Sequence, residues 1–154
     1  MAEPVTWLTA EGLKAEVQRI TATNDYLTDI GDGEIVLDRS HLKLGNVPVT
    51  LIVVGDVVPK DNGQGKGVLN SEMDISLEVA VPYGVENPEL IAHRARADLV
   101  RMLLSLANRF VPGLGSLLIT GSSFDGGATD AGISFTLAQV TARAGLTETY
   151  SLAE

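Results

Sequence analysis

The chain is predicted to fold as α+β, a mainly antiparallel β-sheet packed against one long helix and a shorter N-terminal helix. Three observations lead there. In Met73-Asp74-Ile75-Ser76-Leu77-Glu78-Val79-Ala80-Val81, apolar side chains alternate with smaller or charged ones, the period of a strand with one face on a core. Residues 88–108 switch to helical spacing. The β-prone run Val47-Pro48-Val49-Thr50-Leu51-Ile52-Val53-Val54 precedes the alternating strand, with a Gly/Asn/Asp-rich segment between them that suits a hairpin.

The 154 residues read as a single domain, able to bury about two-thirds of its unfolded surface. There are no cysteines, which excludes a disulfide framework, a thiol nucleophile and a Cys-based zinc site. No apolar run has the length of a membrane span, and the first residues lack the basic-then-apolar order of a signal peptide, so a cytoplasmic, membrane-free setting is expected. Twenty acidic residues against eleven basic ones give a net charge of −9, which argues against a general phosphate-backbone binder. Lining a passage for DNA without gripping it stays compatible with that charge.

A first helix is expected from Thr9 as N-cap, with Leu13, Val17 and Ile20 on one stripe opposite Glu11, Lys14 and Gln18. Gly12 weakens it by about 1 kcal/mol relative to Ala, so it depends on packing. Residues 21–39 turn polar and acidic, with Asp29, Asp32, Glu34 and Asp38. Asp29 to Gly33 resembles the start of a calcium loop, but Ser40 stands where the loop's closing Glu belongs, so a solvated turn is expected and no metal. Pro48 fits the first residue of a strand or an edge. Residues 55–71 read as a mobile hairpin loop. A phosphate-loop reading of Gly65-Lys66 fails on Lys60 and Gly67, which stand where Gly and Ser or Thr are required.

The long helix opens with Asn87 as N-cap, Pro88 at the first helical position and Glu89 at the positive end of the dipole. Ile91, Ala95, Leu99, Met102 and Leu106 form one apolar stripe. Leu90, Ala97, Val100 and Leu104 form a second, with Arg94, Asp98 and Arg101 as a ridge between them. A single stripe suffices to pack on a sheet. The second covers either a neighbouring subunit or another part of the same domain. After the stop at residues 109–115, residues 116–120 and 133–142 read as strands joined by a loop at 121–132. Residues 144–154 either extend the last strand or form a flexible tail.

Catalysis is not expected. His41 and His93 are the only histidines and lack triad or metal-ligand spacing. Gly121-Ser122-Ser123-Phe124-Asp125 departs from the nucleophile elbow at its fifth residue. No cofactor motif stands out.

Read end to end, the chain resembles the tail terminator (tail-completion) proteins of long-tailed bacteriophages. The resemblance rests on Ile20-Thr21-Ala22-Thr23-Asn24-Asp25-Tyr26-Leu27-Thr28-Asp29-Ile30-Gly31, which is similar to the family's "T-x-x-G-Y-x-T-D-x-G", with Asp25 in place of the usual Gly. Arg39 after Val36-Leu37-Asp38 and the helix centre Ala95-Arg96-Ala97-Asp98-Leu99 add to it. The resemblance implies a structural virion protein, not an enzyme. Such a protein forms a homo-oligomeric ring, a hexamer in the family, on the head-proximal end of the tail. The ring stops addition of tail-tube protein and offers a surface to the head-completion (connector) protein, while DNA passes through the lumen without specific binding. On this reading Leu90, Arg94, Ala97, Val100, Arg101 and Leu104 of the helix, with Asp29, Asp32, Glu34 and Asp38, are the expected subunit interface. Two alternatives stay open: a tail-tube or head–tail joining protein, and a small cytoplasmic enzyme or ligand-binding domain.

Overall fold

The computed structural model describes residues 3–151. It is α+β, with a five-stranded mixed sheet and two helices. The elements are α1 (Val5–Val17), β1 (Glu34–Val36), β2 (Val49–Gly65), β3 (Val68–Pro82), α2 (Pro88–Ser105), β4 (Leu114–Ala128) and β5 (Ser134–Thr149). The strand order is β1-β2-β3-β5-β4; β1 runs parallel to β2 and every other neighbouring pair is antiparallel.

The alternation in β3 does what its period requires. Met73, Ile75, Leu77, Val79 and Val81 are buried under the helices, and Ala138, Val140, Ala142, Ala144 and Leu146 of β5 continue the same face. Leu13 and Val17 of α1 and Ala92, Ala95, Leu99, Met102 and Leu103 of α2 close the core. Alanines on both α2 and β5 keep this layer thin. On the opposite face, Val36, Val49 and Leu51 form a small second cluster beneath Leu44. The middle of that face is largely polar: Gln139 donates to Ser76 (3.0 Å) and Glu78 (3.1 Å), and Arg143 pairs with Asp74 at 3.2 Å.

Several expectations need correction. Residues 55–71 are not a loop. β2 and β3 form one long hairpin that turns at Lys66 and Gly67, where Gly67 has φ 74°. The distal part of β3 is held on its other side by the end of β5, from Val68 opposite Thr149 onward. The glycine content serves an irregular stretch between Pro59 and Gln64, where the register slips. A Cβ on Gly63 would lie 2.4 Å from the Asn70 carbonyl oxygen, so the strands approach too closely there for any side chain. Likewise, residues 121–128 belong to β4. Of the two alternatives for residues 144–154, extension of the last strand holds as far as Thr149. Residues 152–154 of the expected tail lie outside the described residues. Thr9 is no N-cap: that position falls to Pro4, five residues earlier, and the buried Thr9 hydroxyl bonds to the carbonyls of Val5 (2.9 Å) and Pro112 (2.6 Å). Asn87 occupies the N-cap position of α2, but with φ 53° and no side-chain cap bond.

Candidate subunit-interface surfaces

α2 presents its two sides very differently. Ile91 is half-buried, and Ala95, Leu99, Met102 and Leu106 are buried, as the first stripe requires. The second stripe points away from the core. Leu90 is 45% and Leu104 68% exposed; Ala97 and Val100 are half-buried, with Val100 reaching back to the core. Leu104 borders an apolar groove of about 510 Å³ between the end of α2 and the start of β4, lined by Leu103, Leu106, Leu117, Leu118 and Ile119. Leu118, on the far wall, is 69% exposed.

The expected Arg94–Asp98–Arg101 ridge is only partly a ridge. Arg94 and Arg101 are exposed, but Asp98 is 2% exposed and belongs to the interior. Its carboxylate accepts from the amides of Leu27 (3.0 Å) and Thr28 (2.8 Å) and from the Thr28 hydroxyl (2.6 Å). Three donors on one carboxylate bind the segment after α1 to the middle of α2. Arg101 reinforces the junction, its guanidinium lying 4.5 Å from the Tyr26 ring centroid and donating to the Asp25 carbonyl.

The acidic residues are not gathered into one cluster. Asp29 is exposed and accepts from the Ala22 amide at 2.7 Å. Asp29 and Asp32 border an apolar pocket of about 380 Å³ formed by Ile30, Val47, Pro48, Val85 and Ile91. Glu34 begins β1 and is exposed. Asp38 is also exposed and caps a 3-10 turn at Arg39–His41; the Ser40 hydroxyl (2.7 Å) and amide (2.9 Å) hold its carboxyl below the usual carboxylate value. His93 stacks on Phe124 with ring centroids 4.2 Å apart, which joins α2 to β4.

The feature that sequence reading missed is the pair of open sheet edges. β1 covers only Val49–Leu51 of β2, leaving residues 52–65 without a backbone partner on that side among the described residues. β4, at the other end of the strand order, is unpaired along its outer side among the described residues. No protein-family model matches this chain, and no curated protein does.

Proposed function

We propose that this protein is a ring-forming structural subunit of a phage tail, of the tail-terminator type, acting at the head-proximal end of the tail tube. The observation that carries the reading is the outward stripe of Leu90, Ala97 and Leu104, continuous with the groove walled by Leu117, Leu118 and Ile119. A monomer gains nothing by presenting leucines on the solvent side of its main helix beside an apolar groove, whereas a subunit contact buries both. A ring of more than two copies uses two different patches on each copy, which one stripe and one acidic-rimmed pocket can supply.

The residues of the tail-terminator resemblance also have definite structural work, which supports it. Asp25, where the family favours Gly, sits at φ 65°, a conformation that suits glycine. Asp29 caps the turn that begins at Ala22. Gly31 packs on the end of α1 so closely that a Cβ would lie 2.6–2.7 Å from the carbonyls of Gln18, Ile20 and Val17. Tyr26, Thr28 and the Asp98 of the helix motif meet at one junction.

In this role the protein is part of the virion after assembly in the host cytoplasm. Its partners are copies of itself, the tail-tube protein and the head-completion protein. The acidic balance of the chain keeps DNA phosphates from adhering to the passage. Light scattering and negative-stain microscopy of the purified protein test the proposal. A closed ring of fixed size is expected. Open tubes that keep growing would assign the chain to the tail-tube class, and a monomer at all concentrations would overturn ring formation.

A further inference from the structure

We propose that neighbouring copies join edge to edge, the outer side of β4 in one copy pairing antiparallel with residues 52–58 of β2 in the next, so that one sheet runs through each junction. The inference rests on the ring reading above and names the strands that make the contact.

Long unpaired edges are a hazard that folded proteins blunt with charge, proline or a covering element. β4 is little blunted along its outer side: it spans fifteen residues with no proline and a single charged residue, Asp125, and no strand pairs with that side among the described residues. β2 is unblunted only in part. Beyond β1 it offers Ile52 to Val58, interrupted by the register slip at Asp56, before Pro59 and Lys60.

Strand direction then selects the partner. β2 and β5 run one way, β3 and β4 the other, because each neighbouring pair is antiparallel. Rotation about an axis lying along the strands leaves every direction unchanged. The β4 of one copy therefore meets the β2 of the next with opposite polarity, and the antiparallel ladder continues without a break.

The side chains agree. Leu118 sits opposite Arg143 and Val58 opposite Glu72, and Arg143 is itself in register with Asp74, which places both Leu118 and Val58 on the polar face of the sheet. They are 69% and 61% exposed, one exposed aliphatic side chain on that face of each open edge. On the other face, Val57, 39% exposed, would continue the wall formed by Leu117 and Ile119. Pairing covers all of them and satisfies two rows of amides and carbonyls at once.

Because the chain has no cysteine, introduced pairs report the contact directly. Opposed residues in an antiparallel pair lie within disulfide reach. Val58→Cys is combined in turn with Leu118→Cys, Thr120→Cys and Ser123→Cys, which lets the register be found in spite of the bulges. The expected result, under mild oxidation of the full chain, is that one double variant leaves most of the protein as a ladder above dimer on non-reducing gels, reversed by reductant, while the single variants stay monomeric. If the wild-type protein forms rings and none of the three double variants gives a ladder, the edge pairing is wrong and the ring reading stands. A covalent dimer from Leu118→Cys alone would mean that β4 pairs with β4, which also overturns it. A wild-type protein that never assembles removes the ring reading and this inference together.

Discussion

Leu104→Asp separates interface from core with one residue. About a third of the Leu104 side chain is shielded in the single subunit, since the residue is 68% exposed. Full burial of a leucine contributes about 1.5–3 kcal/mol, so the isolated fold loses about 0.5–1 kcal/mol. For a chain of this length that lowers Tm by roughly 1–4 °C. In the proposed ring a neighbour would cover the remaining two-thirds. Each contact then loses about 1–2 kcal/mol of apolar burial, with several more where the carboxylate is desolvated without a partner. At about 1.4 kcal/mol per factor of ten, every contact weakens at least about fivefold, and a ring breaks at two contacts per subunit. Circular dichroism should show a native spectrum and melt while light scattering shows a monomer. Leu99→Asp is the matched control, because Leu99 is fully buried one face away and its substitution should unfold the chain. A Leu104→Asp protein that still forms rings at wild-type concentrations would refute the assignment of the stripe. Unfolding of that variant would refute the burial on which the estimate rests.

Asp98→Ala should lower stability by about 2–4 kcal/mol, since hydrogen bonds to a charged group are worth about 1.5–3 kcal/mol and the amides of Leu27 and Thr28 lose their acceptor; denaturant titration checks it, and a change under 0.5 kcal/mol would contradict the junction. Gly31→Ala should cost about 1–3 kcal/mol or more through its clash with the backbone carbonyls at the end of α1, an outcome opposite in sign to the usual gain from removing glycine. For Asp38 the folded pKa is depressed, so the bond to Ser40 contributes stability above the unfolded carboxylate pKa and loses it as pH falls through the lowered folded value. Ser40→Ala should move the Asp38 midpoint upward in an NMR titration, and an unchanged midpoint would show that the turn does not hold the carboxyl.

Periodicity carried the parts of the fold that packing also enforces. The β3 alternation and the Ile91–Ala95–Leu99–Met102 stripe are the two facing layers of one core, so each pattern was written by the other. The hairpin's distal half was hidden for a physical reason. Asp61, Asn62, Gly63 and Gly65 have low strand propensity; the first three lie in the irregular stretch, and the pairing of Gln64 and Gly65 with Leu69 and Val68 closes the hairpin around them, on a β3 braced by a strand about eighty residues further along the chain. The end of β5 was ambiguous for the same reason, because Gly145 and Thr147 become strand residues only once β3 supplies the register.

The candidate surface was legible on the helix and not on the sheet. A second stripe on α2 can be counted in the sequence, and the position of Leu104 follows from the helical angle alone. Asp98 shows where such counting ends. By angle it belongs beside Arg94 and Arg101, yet it is buried because the amides it binds come from about seventy residues earlier in the chain. The Tyr-x-Thr-Asp segment and the Ala-x-Ala-Asp centre of the helix were separate in the sequence reading and are two halves of one joint in the structure. That joint sets the orientation of the outer face of α2 against the acidic turn. Loosening it should therefore disturb assembly even where Leu104 and its neighbours are intact. Thr28→Val removes the hydroxyl bond to Asp98 and leaves both amide bonds, so it isolates the effect: a folded subunit whose assembly weakens while Leu104 stays wild type is expected. Assembly unchanged, with the stability loss of a single hydrogen bond (about 1 kcal/mol), would confine the joint to holding the monomer together.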